Sequence, residues 1–149
     1  MMDDRAIVYC TDFSESSRAA GQYAMDLAKA FGVPLILVHV LDAWAGFPAY
    51  EDSVPGELQN VVRAMEEEAK LKLKSLEKEF QKEMDNVTTQ CRTGVPAEEI
   101  VAAADEGSAQ LIVMGTHGWT GVKHLLLGSV AEKVLRMANC PVLVVRSPP

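Results

Sequence analysis

The sequence predicts an α/β fold, a doubly wound five-stranded parallel sheet with helices on both faces. Short β-branched runs alternate along the chain with longer segments of helical period. The strand runs are apolar on both faces, and such strands need helices packed above and below them. At 149 residues, of which 48% are hydrophobic, the chain has the size and apolar content of one domain with a buried core, so residues 1–149 are expected to form a single domain.

Residues 6–11 read as the first strand. A helix follows from Ser14 to about Phe31, with Ala20, Tyr23, Ala24, Leu27 and Ala28 at spacings of three and four that mark one buried face. Gly32 stops it, and residues 34–41 supply the second strand. Residues 42–56 combine Gly and Pro breakers with Trp44, Phe47 and Tyr50, and read as a long loop of the kind that often carries function. A long helix is expected from Glu57 to Met84, with an apolar stripe of Val62, Met65, Ala69, Leu73, Leu76, Phe80 and Met84. Its Lys/Glu run from Glu66 to Lys82 reads as a solvated face.

Residues 86–92 form the third predicted strand. Pro96 lies near the first position of the next helix, with acidic residues in its first turn. Residues 110–115 are the fourth strand, Ser129 to about Ala138 the last helix, and residues 141–146 the fifth strand. There is no internal repeat, low-complexity tract or linker in the sequence.

Composition narrows the function. A net charge of −7 argues against a nucleic-acid binder, whose affinity rests on clustered Lys and Arg. The three cysteines, Cys10, Cys91 and Cys140, are odd in number and widely spaced, and read as reduced core residues. The first ten residues lack a cationic start before a long apolar core, and no apolar run reaches the length of a membrane span. The expectation is a cytoplasmic protein without a signal peptide or membrane partner.

In open α/β sheets, ligands bind outside the carboxyl ends of the strands, where the strand order reverses. The segment after Met114 stands out there. It reads Gly115-x2-Gly118-x9-Gly128-Ser129 between a strand and a helix. Glycines at a strand end allow a sharp turn and close backbone approach to an anion, and a helix start offers unpaired amides and partial positive charge. Ser129 can add its hydroxyl. A plainer reading accounts for each feature alone, with Gly115 and Gly118 as turn formers and Ser129 as an N-cap. The segment lacks the Gly-Lys-Ser/Thr of a Walker A loop and the Gly-x-Gly-x-x-Gly dinucleotide fingerprint. His117 is a candidate for phosphate contact, with His124 as its competitor and Lys123 within the same loop. His39, inside an apolar strand, reads as a satisfied core histidine. Asp12, with Glu15 three residues on, reads both as a ligand contact and as a capping box for the first helix.

Residues 8–14, the second-strand stretch Leu37-Val38-His39-Val40, the run from Met114 through Gly118 to Gly128-Ser129-Val130-Ala131, and residues 139–145 together resemble the universal stress protein family. The resemblance spans almost the whole chain with motif order and spacing kept. It implies a Rossmann-like sheet of the adenine nucleotide alpha hydrolase type, with strand order 3-2-1-4-5, and the ATP-binding branch of the family. It places Thr11 and Asp12 near the ribose or phosphates and the Val40 backbone against the adenine edge. Met114 and Gly115 fall at the ribose and adenine, and Gly118, Gly128, Ser129 and Val130 at the phosphates. The implied ligand is ATP or AMP, and ATP leaves room for an accompanying Mg or Mn ion. Cys10 stands where many ATP-binding relatives have Pro, and Ala131 where many have Ser or Thr, a departure that favours AMP or weakens ATP.

Three function classes follow. The first is a nucleotide-binding regulatory protein of the stress response, whose occupancy is read by an unknown protein partner or by its own second subunit. The second is an enzyme with slow ATP hydrolysis or autophosphorylation, although Asp12, Lys123 and His117 form no compact constellation in the sequence. The third is a ligand-free interaction scaffold built on the aromatic loop around Trp44, Phe47 and Tyr50. The fifth strand, Val142 to Val145, is expected as an apolar edge open to pairing, and the family resemblance implies a homodimer through it.

Overall fold

The computed structural model describes residues 5–42, 55–116 and 127–147. Five strands alternate with four helices within them: β1 (Ile7–Cys10), α1 (Glu15–Phe31), β2 (Leu35–Leu41), α2 (Gly56–Gln81), β3 (Val87–Thr93), α3 (Pro96–Glu106), β4 (Leu111–Gly115), α4 (Ser129–Met137) and β5 (Val142–Val145). All strands are parallel, in the order β3-β2-β1-β4-β5. The predicted fold class and strand order are those observed.

Side chains alternate across the sheet and divide the core in two. Ile7, Tyr9, Leu35, Leu37 and Val113 face α1 and α2. Val8, Cys10, Val38, Ile112 and Met114 face α3 and α4. The chain leaves β1 toward β2 and β3 on one side and returns past it to β4 and β5 on the other. The order therefore reverses between β1 and β4, and a crevice opens at their carboxyl ends.

The helices obey local chemistry. Ser14 caps α1 by accepting a bond from the Ser17 amide, and Gly32 ends it in the left-handed region at φ 67°. Three details differ from expectation. The buried stripe of α1 is Ser17, Ala20, Gly21, Ala24, Met25 and Ala28, so Tyr23 falls beyond the contact arc and is 57% exposed. On α2, Val62, Ala69, Leu73 and Phe80 are buried, but Met65 lies outside the seam and is exposed. That helix ends at Gln81, so Met84 packs on the core from the following turn. Trp44, Phe47 and Tyr50 lie outside the described residues. Among the described residues no helix is long and apolar enough to cross a membrane.

Candidate functional site

A cavity of about 440 Å³ occupies the crevice at the carboxyl ends of β1, β2 and β4. Its apolar walls come from Val38 and Val40 on β2, Ile100 on α3 and Met114 on β4. Asp12 and Asp42 also line the cavity, as do Gly128, Ser129, Val130 and Ala131 at the start of α4. Apolar walls beside a helix start suit a ligand with a flat apolar part and an anionic end, and the carboxylates can accept from its hydroxyls.

The turn between β1 and α1 is held from several sides. The Thr11 amide donates to Val38 O at 2.9 Å, and the Thr11 carbonyl lies 2.8 Å from His39 Nδ1. Thr11 Oγ1 accepts from the Phe13 amide and sits 3.1 Å from Ser17 Oγ. Because Ser17 Oγ spends its one proton on Ser14 O, Thr11 is the donor in that pair. Asp12 Oδ1 accepts from the Ser14 amide at 2.9 Å, which forms an Asx turn ahead of the helix. Phe13 between them has φ 66°, a left-handed conformation that costs a bulky residue about 1–2 kcal/mol. Its ring is covered by His39, with centroids 4.5 Å apart, and by Lys72 Nζ at 5.6 Å. The capping box of Asp12 and Glu15 is thereby corrected. Ser14 is the cap, Asp12 braces the preceding turn, and Glu15 is exposed within the helix.

The opposite lip is built by β4 and α4. Thr116 and Gly128 join the two ends of the intervening segment, the Gly128 amide donating to the Thr116 carbonyl at 2.6 Å. Gly128 is the N-cap of α4 and offers no side chain to its amides. The first helical bond runs from the Glu132 amide to Gly128 O, which leaves the amides of Ser129, Val130 and Ala131 outside the helix's own ladder. The N-cap role read for Ser129 thus falls to Gly128, and Ser129 is the first helical residue.

Two ionisable groups bear on the site, Cys10 as part of the cavity lining and His39 on the opposite face of β2, where it packs against Phe13. Burial pushes the Cys10 thiol up to about 12, so it is a packing group and not a nucleophile at neutral pH. Burial also holds the His39 imidazole below its ordinary value. Cys10, Cys91 and Cys140 are free thiols, Cys10 buried and the others half-buried. Among the described residues no three His, Cys, Asp or Glu side chains converge on a point that could hold a metal.

Thr11, Asp12, Val40, Met114, Gly115, Gly128, Ser129 and Val130, all singled out in the sequence, line this one cavity. His117 and Gly118 lie outside the described residues, as do Lys123 and His124. Sequence reasoning missed Asp42, Pro96 and Ile100, which also line it. Asp42 follows the second strand directly and was reachable from the rule about strand carboxyl ends. Pro96 and Ile100 reach the cavity from α3 across the sheet, and no local pattern announces that contact.

A doubly wound parallel α/β domain, with a cavity at its switch point beside the start of a helix, defines the class of protein. Within that class the chain belongs to the universal stress protein family, whose sequence model matches residues 5–146. It is 39% identical to universal stress protein MJ0531 of Methanocaldococcus jannaschii, over 97% of this chain and 83% of that protein. The structure of MJ0577, a universal stress protein of the same organism, superposes with a TM-score of 0.81 at 35% identity, covering 100% of this chain and 99% of that one. The universal stress protein from Archaeoglobus fulgidus in complex with dAMP gives a TM-score of 0.65 at 26% identity, with 97% and 98% of the two chains covered.

Proposed function

We propose that this protein binds an adenine nucleotide, AMP or ATP, in the cavity between β1, β4 and α4, and acts as a regulatory stress-response protein whose state follows occupancy. The observation that carries this reading is the set of three α4 amides, on Ser129, Val130 and Ala131, beside a cavity that also has apolar walls from Val38, Val40, Ile100 and Met114. Phosphate oxygens suit those amides and the helix's partial positive charge. Val38, Val40 and Met114 offer apolar surface to a base, and Asp12 can accept from ribose hydroxyls. A relative in complex with dAMP supports the same ligand class. Ala131 brings no hydroxyl to the phosphate end, which favours AMP over ATP. An Mg or Mn ion carried by ATP would meet Asp12 and Asp42 as carboxylates of the cavity wall.

The same reading includes a cytoplasmic homodimer paired through β5, the last strand of the sheet, whose Val142, Leu143 and Val144 are only half-buried. Calorimetric titration with AMP, ADP, ATP and cyclic AMP tests the ligand. Binding of AMP or ATP with a dissociation constant below about 100 μM is expected, and no heat from any of the four up to about 1 mM overturns the reading. Steady-state ATP turnover that is lost on changing Asp12 would move the protein into the enzyme class instead.

A further inference from the structure

We infer that His39 is a positioning residue for this cavity: its Nδ1–H grips the Thr11 carbonyl, and that bond holds the turn that presents Asp12. The inference rests on the nucleotide-binding reading for its effect on affinity, but not for its structural content. His39 Nδ1 lies 2.8 Å from Thr11 O. A carbonyl can only accept, so Nδ1 carries the proton and the tautomer is fixed. Burial keeps the ring neutral at pH 7, so its single N–H is committed to this bond.

The turn needs such a hold. Phe13 occupies the left-handed region at φ 66°, a conformation that persists only when its surroundings enforce it. His39 covers one side of the Phe13 ring at 4.5 Å, and Lys72 of α2 stands 5.6 Å from its centroid. On either side of Phe13, Thr11 and Asp12 line the cavity and Ser14 caps α1. Asp12 is itself tied to this turn through the Ser14 amide at 2.9 Å. One side chain of β2 thus governs the only non-glycine left-handed residue beside the cavity among the described residues.

Two substitutions separate the parts of the role. His39→Phe keeps a ring against Phe13 and removes the donor, whereas His39→Asn keeps a donor at the place of Nδ1 and removes the ring. Affinity for AMP, measured calorimetrically, is expected to fall about three- to tenfold in His39→Phe, the scale of one lost hydrogen bond, and to recover to within about twofold in His39→Asn. Amide exchange measured without nucleotide is expected to speed up at Ser14 in His39→Phe and not in His39→Asn. Wild-type affinity and wild-type Ser14 exchange in His39→Phe overturn the inference, as does a His39→Asn protein as impaired as His39→Phe. If the wild type binds no nucleotide, the ligand reading fails and Ser14 exchange alone decides this one. Should His39→Phe not fold, nitrogen-15 spectra of the wild-type imidazole decide: an Nδ1-protonated ring supports the inference, and an Nε2-protonated ring overturns it.

Discussion

A Cβ placed on Gly115 would lie 2.9 Å from Ser16 Oγ and 3.0 Å from the Ser16 carbonyl oxygen. The strand alternation explains the contact. Val113 faces α1 and α2 and Met114 faces the cavity side, so the next position points back at α1. Gly115 borders the cavity with its backbone, but its missing side chain makes room for the first turn of α1, not for a ligand.

Gly115→Ala is therefore expected to destabilise the fold by about 1–3 kcal/mol, the usual cost of overpacking a tight contact. Adding Ser16→Gly removes Oγ but leaves the backbone carbonyl, so it should restore only part of the loss. Urea unfolding of the two variants and the wild type checks this. A neutral Gly115→Ala, or full rescue by the second change, would contradict the geometry.

The first helix offers a second test. Ser14 accepts the Ser17 amide and holds the N-cap, while Glu15 is exposed and makes no reciprocal bond to the cap among the described residues. Ser14→Ala should cost about 1 kcal/mol. Glu15→Ala should cost only a few tenths, the scale of one acidic side chain in a first turn. A loss in denaturant midpoint from Glu15→Ala that matches or exceeds the loss from Ser14→Ala would contradict Ser14 as the dominant cap.

Stability should fall at alkaline pH through Cys10. Its thiol is raised from an ordinary 9.0 to about 12 by burial, with Cys140 adding to the rise. A raised folded-state value means that the folded protein keeps a proton the unfolded chain has lost. The contribution is complete below pH 9.0 and disappears as pH rises toward about 12. Burial raises the Tyr9 phenol as well, so its effect has the same sign. Chemical unfolding from pH 8 to pH 10 should show the wild type losing roughly 1 kcal/mol more than Cys10→Ala. The slope is the readout, because the truncation also lowers stability at every pH. Parallel slopes would show that Cys10 titrates normally.

The fold was legible because both-face apolar strands and 3.6-period helices leave different marks on a sequence. The cavity rim was legible because Thr11, Asp12, Val40 and Met114 follow or end strands, and ligands gather there. What escaped depends on three-dimensional neighbours. Tyr23 fits the α1 period yet lies outside the contact arc, since the position of the arc is set by the sheet beneath. Gly115 was marked as special, but the residue that makes it so, Ser16, is distant in sequence. His39 was read as a satisfied core histidine, and its acceptor, Thr11 O, appears only once β1 and β2 are paired.

The proposed dimer has its sharpest test at Val144. The carbonyls of Pro141 and Val145 accept from the Ile112 and Thr116 amides, so alternate β5 residues turn their polar groups toward β4. The N–H and C=O of Val144 therefore face the outer edge. Proline there removes an outward donor and leaves the bonds to β4 in place, the setting in which edge strands tolerate proline. Val144→Pro should remain folded by circular dichroism and sediment as a monomer, while the wild type sediments as a dimer. A folded variant that stays dimeric at the same concentration would remove β5 from the interface. Unfolding of the variant would instead show that Val144 is needed within its own sheet, against the direction its backbone takes here.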